Sequence, residues 1–368
     1  MSDIAHIITD MLIRELEVLI SREFKKANRQ IRDKADEYFK SYEAKEKIKR
    51  DQLKRGVITL AEFIAWRKGQ LLIDARWNEM RNTLAEDFHN ANKIAQRIML
   101  GGMPDIYALN HAYGTYEVEH ASLLDTSYTL YSREAVEKVL SDHPLLPSVR
   151  EHGMTFDFTN SDEWQMPRLG KKAWQRVADL EDVLWNRTQI QSVMLQGILQ
   201  GMPIPELATK LEAVTERNHA AAIRNARTMA TNVQNAGRID SYKRAEKLGI
   251  KLKKQWIATL DGRTRHEHRL LDGQTAEVDE PFTVEGMEID FPGDPHAKAQ
   301  LVYNCRCTMR TQLKGFEVDV ADLTQRNNKL GDMSYQEWVN AKAESEPIDR
   351  QERIAKIMKG RYGKLYRR

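Results

Sequence analysis

The chain is poor in the residues that interrupt or cross-link a fold. Its 368 residues include two cysteines, Cys305 and Cys307, too few for a disulfide framework. That usage points to synthesis in a reducing compartment. None of its ten prolines precedes Pro104, and the first hundred residues hold only Gly56 and Gly69. No run approaches the roughly 18 uncharged apolar residues of a membrane span. Asp3 and Asp10 interrupt the first apolar stretch, which does not suit a secretory signal. Nor does one sign of charge dominate: 57 Lys and Arg face 54 Asp and Glu, a net +3. The whole molecule is therefore no electrostatic trap for nucleic acid. With 41% apolar and 30% charged residues, the composition excludes wholesale disorder. The length predicts two or three structural units.

Helix formers fill the space that breakers leave. Residues 1–100, rich in Ala, Leu, Glu, Lys and Arg, are predicted as long helices. Thr59-Leu-Ala-Glu62 is a capping box that opens a helix after Arg55-Gly56, with Leu60, Ile64, Leu71 and Ala75 on its inward face. Residues 101–214 read as irregular and then helical. Gly101-Gly102, Pro104, Pro144 and Pro147 punctuate the first part, and Ser132 is placed to cap a short helix through Leu140. Helix returns from Trp174 to Gly201, and Pro205 suits the first turn of the next one.

Between 215 and 248, Ile223, Ala226, Ala230, Val233, Ala236, Ile239 and Tyr242 form one stripe. Gly249 stands where a left-handed C-terminal cap belongs. The period then changes to two. Ile250, Leu252, Trp256, Ala258 and Leu260 alternate with Lys251, Lys253, Gln255 and Thr259, a half-buried strand ending at Asp261-Gly262. Phe282 and Val284, then Met287 and Ile289, straddle Gly286 as a hairpin would. A third strand is predicted from Cys305 to Leu313, and Ser334-Tyr-Gln-Glu337 is a second capping box. The expected fold is mainly α: long N-terminal helices, a small α+β domain at 215–315, and a helical segment at 316–368 with a basic tail.

Chemistry-bearing residues concentrate in that small domain, and three readings compete for them. In the first, Cys305 and Cys307 lie two apart on a strand, so they share a face with Cβ atoms about 6.5–7 Å apart. That is too far for a relaxed disulfide and near enough for two thiolates on one ion. His268, His266 or His296 could complete a zinc site, although C-x-x-C spacing is absent. The second reading is hydrolytic. His266-Glu267-His268 fits neither the H-x-E of zinc deaminases nor the His-Glu-x-x-His of zinc proteases. In the third, Asp261-Gly262 and Asp272-Gly273 are turns. Arg263, Arg265 and Arg306 then fork onto carboxylates and carbonyls, and with His268 they tie the loop to the Cys305–Cys307 strand around an anchoring Trp256.

The combined run is more specific than its pieces. Trp256, Asp261-Gly-Arg263-Thr264-Arg265, His268 and Asp272-Gly273 are followed some thirty residues on by Asn304-Cys305-Arg306-Cys307. This pattern resembles the phage head morphogenesis domain of the Mu F-like minor head proteins. Ala226-Arg227-Thr228 and the later Gly237-Arg238 sit where that family carries its Ala-Arg-Thr-Glu helix, with Met229 in place of the acid. The resemblance covers about 110 of the 368 residues. It implies a low-copy virion component without catalytic residues or cofactor. Such a protein would associate with portal and capsid proteins and act in capsid assembly, DNA packaging or ejection. Its place would be the capsid interior or portal vertex, after assembly in the host cytoplasm. Relatives fused to toxin domains also exist, but the roughly 50 residues after the domain here are few for such an enzyme.

Two other functions remain open on the residues alone. One is a zinc-dependent enzyme built on His268, Cys305 and Cys307. The other is a nucleic-acid-binding module using the C-terminal cations Arg350, Arg353, Lys356, Lys359, Arg361, Lys364, Arg367 and Arg368, opposed only by Asp349 and Glu352. In a head protein the same tail would face packaged DNA without reading its sequence.

Overall fold

A computed structural model describes residues 3–69, 75–131, 133–142, 171–200, 202, 204–316 and 328–344. Leu71, Ser132, Pro144, Pro147, Gly201 and the basic tail at 349–368 lie outside the described residues. The fold is mainly α with a small α+β region. Helices α1 (Ile4–Lys54), α2 (Leu60–Lys68), α3 (Ala75–Ser122), α4 (Arg133–Asp142), α5 (Lys171–Leu199) and α6 (Ile204–Lys247) come first. They are followed by β1 (Ile250–Ile257), α7 (His266–Leu271), β2 (Thr275–Glu277), β3 (Phe282–Val284) and β4 (Met287–Ile289). The short α8 (Ala299–Val302), β5 (Thr308–Phe316) and α9 (Tyr335–Glu344) complete the order. The chain divides into two compact units, one helical (within 16–99 and 167–224) and one mixed (within 1–15, 100–166 and 225–368).

The helical unit is built from segments of α1, α3, α5 and α6 with α2 beside them. Along α1 the buried side chains Leu16, Ile20, Phe24, Ala27, Ile31, Ala35, Tyr38 and Tyr42 recur at steps of four, four and three. On α3 Trp77, Met80, Leu84, Phe88, Ala91, Ala95 and Met99 do the same. This eleven-residue repeat keeps one face of a nearly straight helix turned inward. Polar residues join the packed faces: Trp77 Nε1 donates to Gln191 at 3.0 Å, and Asn218 donates to Asn186 at 3.1 Å.

Helix α2 starts on its capping box as expected, with Glu62 N–H bonded to Thr59 Oγ1 at 3.2 Å and Thr59 N–H to Glu62 Oε2 at 2.8 Å. Its inward face differs from the expectation. Leu60 is 58% exposed and Ile64 half-buried, whereas Phe63 and Arg67 are buried. Arg67 lies over the Phe63 ring, reaches the Met202 carbonyl and sits 3.6 Å from Glu46. Those acceptors make burial of the guanidinium tolerable, which a pattern of apolar residues does not reveal.

Helix α3 corrects a second expectation, since it runs through Gly101-Gly102 and Pro104 without ending. Proline in a helix interior forfeits a backbone bond and costs about 3 kcal/mol. Here Met99, Leu100, Met103, Ile106 and Tyr107 are all buried around it, and their packing outweighs the break. Helix α6 starts with Pro205 in its first turn, as expected, and runs on without a break through the stripe at 215–248 to Lys247.

The second half of α6 is the centre of the mixed unit. From Ala230 to Ile239 every residue is buried, a helix enclosed on all sides. Gly237 lets α3 approach: a Cβ there would lie 2.7 Å from the Tyr107 carbonyl oxygen. Gly249 ends the helix at φ +82°, as expected of a left-handed cap. Strands β2, β1 and β5 form an antiparallel sheet in that spatial order, with Trp256 opposite Met309. Strands β3 and β4 form the expected hairpin.

β1 alternates strictly, but one of its inward residues is Lys254, not an apolar side chain. Its ammonium donates to the Asp290 carbonyl at 2.8 Å and stands over the Phe282 ring, and burial pushes its pKa down to about 8. Leu260 is 64% exposed because the strand ends at Ile257.

Helix α9 begins on the second capping box and docks by its aromatic face. Trp338 stacks on Tyr128 and donates to Glu119 at 2.7 Å, and Lys342 bonds both Glu119 and Asp125.

Beside this contact His111 is buried, its Nδ1 in hydrogen-bond contact with the Tyr128 hydroxyl at 3.2 Å. Burial pushes the imidazole down to about 4, against Asp240, which raises it, and with Arg244, which lowers it further. The folded state therefore keeps His111 neutral while an unfolded chain takes up a proton below about pH 6.5. Stability should fall as pH drops from about 6.5 towards 4, with a slope from this residue of up to ~1.4 kcal/mol per pH unit. Thermal unfolding of His111→Phe should show a shallower decline between pH 6.5 and 5 than the parent.

Candidate functional site

The motif residues converge on one junction of three segments: α6, the loop and helix that follow β1, and the turn that precedes β5. Contrary to expectation, Cys305 and Cys307 are not on a strand, because β5 starts at Thr308. The residues from Cys305 to Cys307 form an irregular passage whose backbone is held by α6. Thr231 donates to the Cys305 carbonyl at 2.6 Å, and Asn235 donates to the carbonyls of Pro292 at 2.9 Å and Cys307 at 3.3 Å. Gln234 donates to Thr308 Oγ1 at 2.8 Å, and the fully buried Arg238 reaches the Met309 carbonyl, Asn110 and Asp3. Side chains three and four apart on one helix thus read successive groups of the extended segment beside it. Asn232 completes the row by donating to the Gly293 carbonyl, where a Cβ on Gly293 would lie 2.8 Å from the α6 backbone.

Thr228 accepts the Asn304 N–H at 3.2 Å, with Asn304 at φ +53°. The Ala-Arg-Thr piece of the motif and its Asn-Cys-Arg-Cys piece are therefore in direct contact. Arg227, beside them, is half-buried.

The loop after β1 is closed by its own polar residues. Arg306 forks onto Asp261 with bonds of 2.6 and 2.8 Å. That guanidinium, with the Arg263 N–H, holds the Asp261 carboxyl well below the usual carboxylate range. Thr264 bonds the Asp261 N–H and the Thr259 carbonyl, and Thr259 Oγ1 donates to the Arg306 carbonyl at 2.6 Å. Asp272 accepts the Ala258 N–H at 2.8 Å, and Gly273, at φ +79°, donates its N–H to the Trp256 carbonyl. Asp261, Thr264, Arg306 and Asp272 thus knit this loop. Arg263 and Arg265 do not share that work through their side chains. The Arg263 side chain is 80% exposed and reaches Asp261 only as a loose ion pair of 4.0 Å, and that of Arg265 has no hydrogen bond among the described residues.

Trp256 and His268 are buried and meet edge to face at 5.8 Å. His268 projects from α7 towards the two cysteines, with Nδ1 at 3.2 Å from Cys307 Sγ and 3.7 Å from Cys305 Sγ. Burial pushes the Cys305 thiol up, while the hydrogen bond from Cys305, and then His268, lower Cys307. The sequence offered three histidines to this cluster and the fold brings one. His266 is exposed and stands 3.5 Å from Glu285, and His296 is exposed.

The residues that the sequence did not single out are Thr231, Asn232, Gln234 and Asn235, which carry much of the junction. A single-faced helix would leave these residues, which flank the apolar stripe, in solvent; only the enclosure of α6 on all sides gives them partners.

With the junction described, the relatives of the chain can be set beside it. Residues 188–310, which include every motif residue from Arg227 to Cys307, match the family described as Phage Mu protein F like protein. Over 302 residues the chain is 23% identical to Minor head protein GP7 of Bacillus phage SPP1, a match that covers 82% of this chain and 83% of that protein. Over 208 residues it is 29% identical to NAD(+)--arginine ADP-ribosyltransferase EFV of Enterococcus faecalis (strain ATCC 700802 / V583). That second match covers 56% of this chain and spans only 40% of the transferase. No solved structure matches the chain significantly. Residues 188–310 are thus similar to the Mu F-like head morphogenesis family, and the similarity to a phage minor head protein extends beyond them.

The junction makes its own prediction about stability. Asn235→Leu removes the donor to two buried carbonyls and should destabilise the protein by about 1–3 kcal/mol. Arg263→Ala, whose side chain is largely in solvent, should change stability by no more than about 0.5 kcal/mol. Chemical denaturation of both variants beside the parent checks the contrast.

Proposed function

We propose that the chain is a minor head protein of a tailed phage, working in head morphogenesis beside the portal and capsid proteins. The observation that carries this reading is the match to Minor head protein GP7, which extends over most of both chains and not just the shared domain. Two structural features support it. Large apolar side chains are exposed on the long helices, Val18, Leu19 and Ile48 on α1 and Leu184, Trp185, Leu195 and Leu199 on α5, as on surfaces that meet other proteins. The chemistry-rich junction, in turn, is occupied by internal bonds, with His268, Cys305 and Cys307 all at most 3% exposed. We read the protein as an assembly component and not an enzyme, located in the virion at the portal vertex or the capsid interior. Among the described residues no helix is long and apolar enough to cross a membrane.

Quantitative mass spectrometry of purified virions tests this reading. A few copies per particle relative to the major capsid protein are expected, and absence from the particle would overturn it. The basic tail adds a role in DNA packaging or ejection by binding phosphates. Deleting residues 349–368 should weaken binding of the protein to duplex DNA at low salt. It should also flatten the log–log salt dependence by about one unit for each phosphate that the tail neutralises. An unchanged slope removes DNA from the proposal.

The transferase match favours a second reading, ADP-ribosyl transfer to arginine. Incubation with labelled NAD and an arginine-rich acceptor decides it: the head-protein reading expects no label transferred, and transfer above a no-protein control would favour the enzyme.

A further inference from the structure

We infer that His268, Cys305 and Cys307 form a metal site that binds a single zinc ion and clamps α7 to the turn before β5. The ligand atoms are already assembled, since one nitrogen and two sulfurs lie within 4.8 Å of one another. A tetrahedral zinc holds an imidazole nitrogen and a thiolate about 3.6 Å apart and two thiolates about 3.8 Å apart. The distances from His268 Nδ1 to the sulfurs, 3.2 and 3.7 Å, are within a few tenths of an ångström of that requirement, and the two sulfurs, within 4.8 Å, would close by up to about 1 Å on the ion.

Chemistry favours an ion over bare thiols. The three side chains are 2–3% exposed, and the polar neighbours of the His268 ring among the described residues are the two sulfurs, with Nε2 left unpartnered. Thiols are weak donors and weak acceptors, so they satisfy a buried imidazole poorly. A zinc ion with two thiolates and a neutral imidazole carries no net charge, and such a unit can be buried without an exposed counter-ion.

The chain gives the ends of this clamp a framework of their own. Cys305 and Cys307 sit on backbone that Thr231 and Asn235 hold from α6, and His268 sits on a helix whose following turn is tied back to β1 by Asp272 and Gly273. Ligands pre-positioned by hydrogen bonds to their own backbone suit a site that braces a fold. No fourth His, Cys, Asp or Glu among the described residues joins the group, so one position falls to water or another small ligand. Three protein ligands with an open position is also the pattern of catalytic zinc, but burial of all three here suits the clamp inferred above. The inference does not rest on the head-assembly reading, and either can fail alone.

The test uses the full chain, with any purification tag removed, produced in zinc-supplemented medium. Mass-spectrometric metal analysis should find roughly one zinc per chain. His268→Gln and Cys307→Ser should each lower that content at least tenfold, and His266→Ala, an exposed neighbour, should retain it. Because either ligand variant could fold poorly, cobalt replacement in the unmutated chain gives an independent reading. A thiolate-to-cobalt charge-transfer band with tetrahedral d–d absorption is expected. Protein that neither contains zinc nor takes up zinc or cobalt overturns the site. So does bound metal without the sulfur band, or metal that survives both ligand substitutions.

Discussion

The mixed unit depends on a single arrangement: the polar face of a fully buried helix hydrogen-bonded to an extended segment from far along the chain. Thr231, Gln234, Asn235 and Arg238 on α6 answer the groups of Cys305, Cys307, Thr308 and Met309. A buried helix of this kind would be expected to carry only apolar residues, since each unpartnered polar group in a core costs about 1–3 kcal/mol. Here most of that cost is avoided by pairing, with Asn235 Oδ1 the exception, and the pairing gives direction. Apolar contact alone would let the segment slide along the helix, whereas a row of donors at helical spacing accepts one register. That register fixes where β5 begins, and hence which residues of β1 it faces.

The family resemblance acquires a physical meaning from this arrangement. Its pieces are scattered between residues 226 and 307, yet the fold brings them to one place. Thr228 touches Asn304, Asp261 touches Arg306, and His268 touches Cys305 and Cys307. The motif is the set of residues at which three chain segments are joined. Such a joint fixes the relative placement of the three segments, whatever the outer surface meets.

Much of the fold was legible in the sequence, and the failures share a cause. Elements with local signals were found: both capping boxes, the Gly249 cap, the β3–β4 hairpin and the alternation of β1. The errors fell where distant packing overrode a local rule. Pro104 looked like a break but is surrounded by buried side chains that keep α3 intact. Arg67 and Lys254 had no place in the expected inward faces, yet both are buried and find carbonyl oxygens inside. At the site, the sequence brought out the right residue types and missed their division of labour. Arg306, Asp261 and Asp272 carry the loop, Arg263 and Arg265 do not, and the cysteines lie in a turn whose irregular path is set by α6, which no local pattern encodes.

Asp3 and Arg238 are 235 residues apart in the chain and meet as an ion pair of 2.7 Å. At bacterial synthesis rates of roughly 5–20 residues per second, the first turn of α1 waits about 10–50 s for its partner to be made. The strand whose Met309 carbonyl completes the Arg238 cluster arrives later still. The mixed unit therefore closes only after Met309 has been made, and until then the segment around Asp3 lacks its partner. This makes timing a property of the fold: the first turn of α1 stays without its Arg238 partner until residues far along the chain have been made.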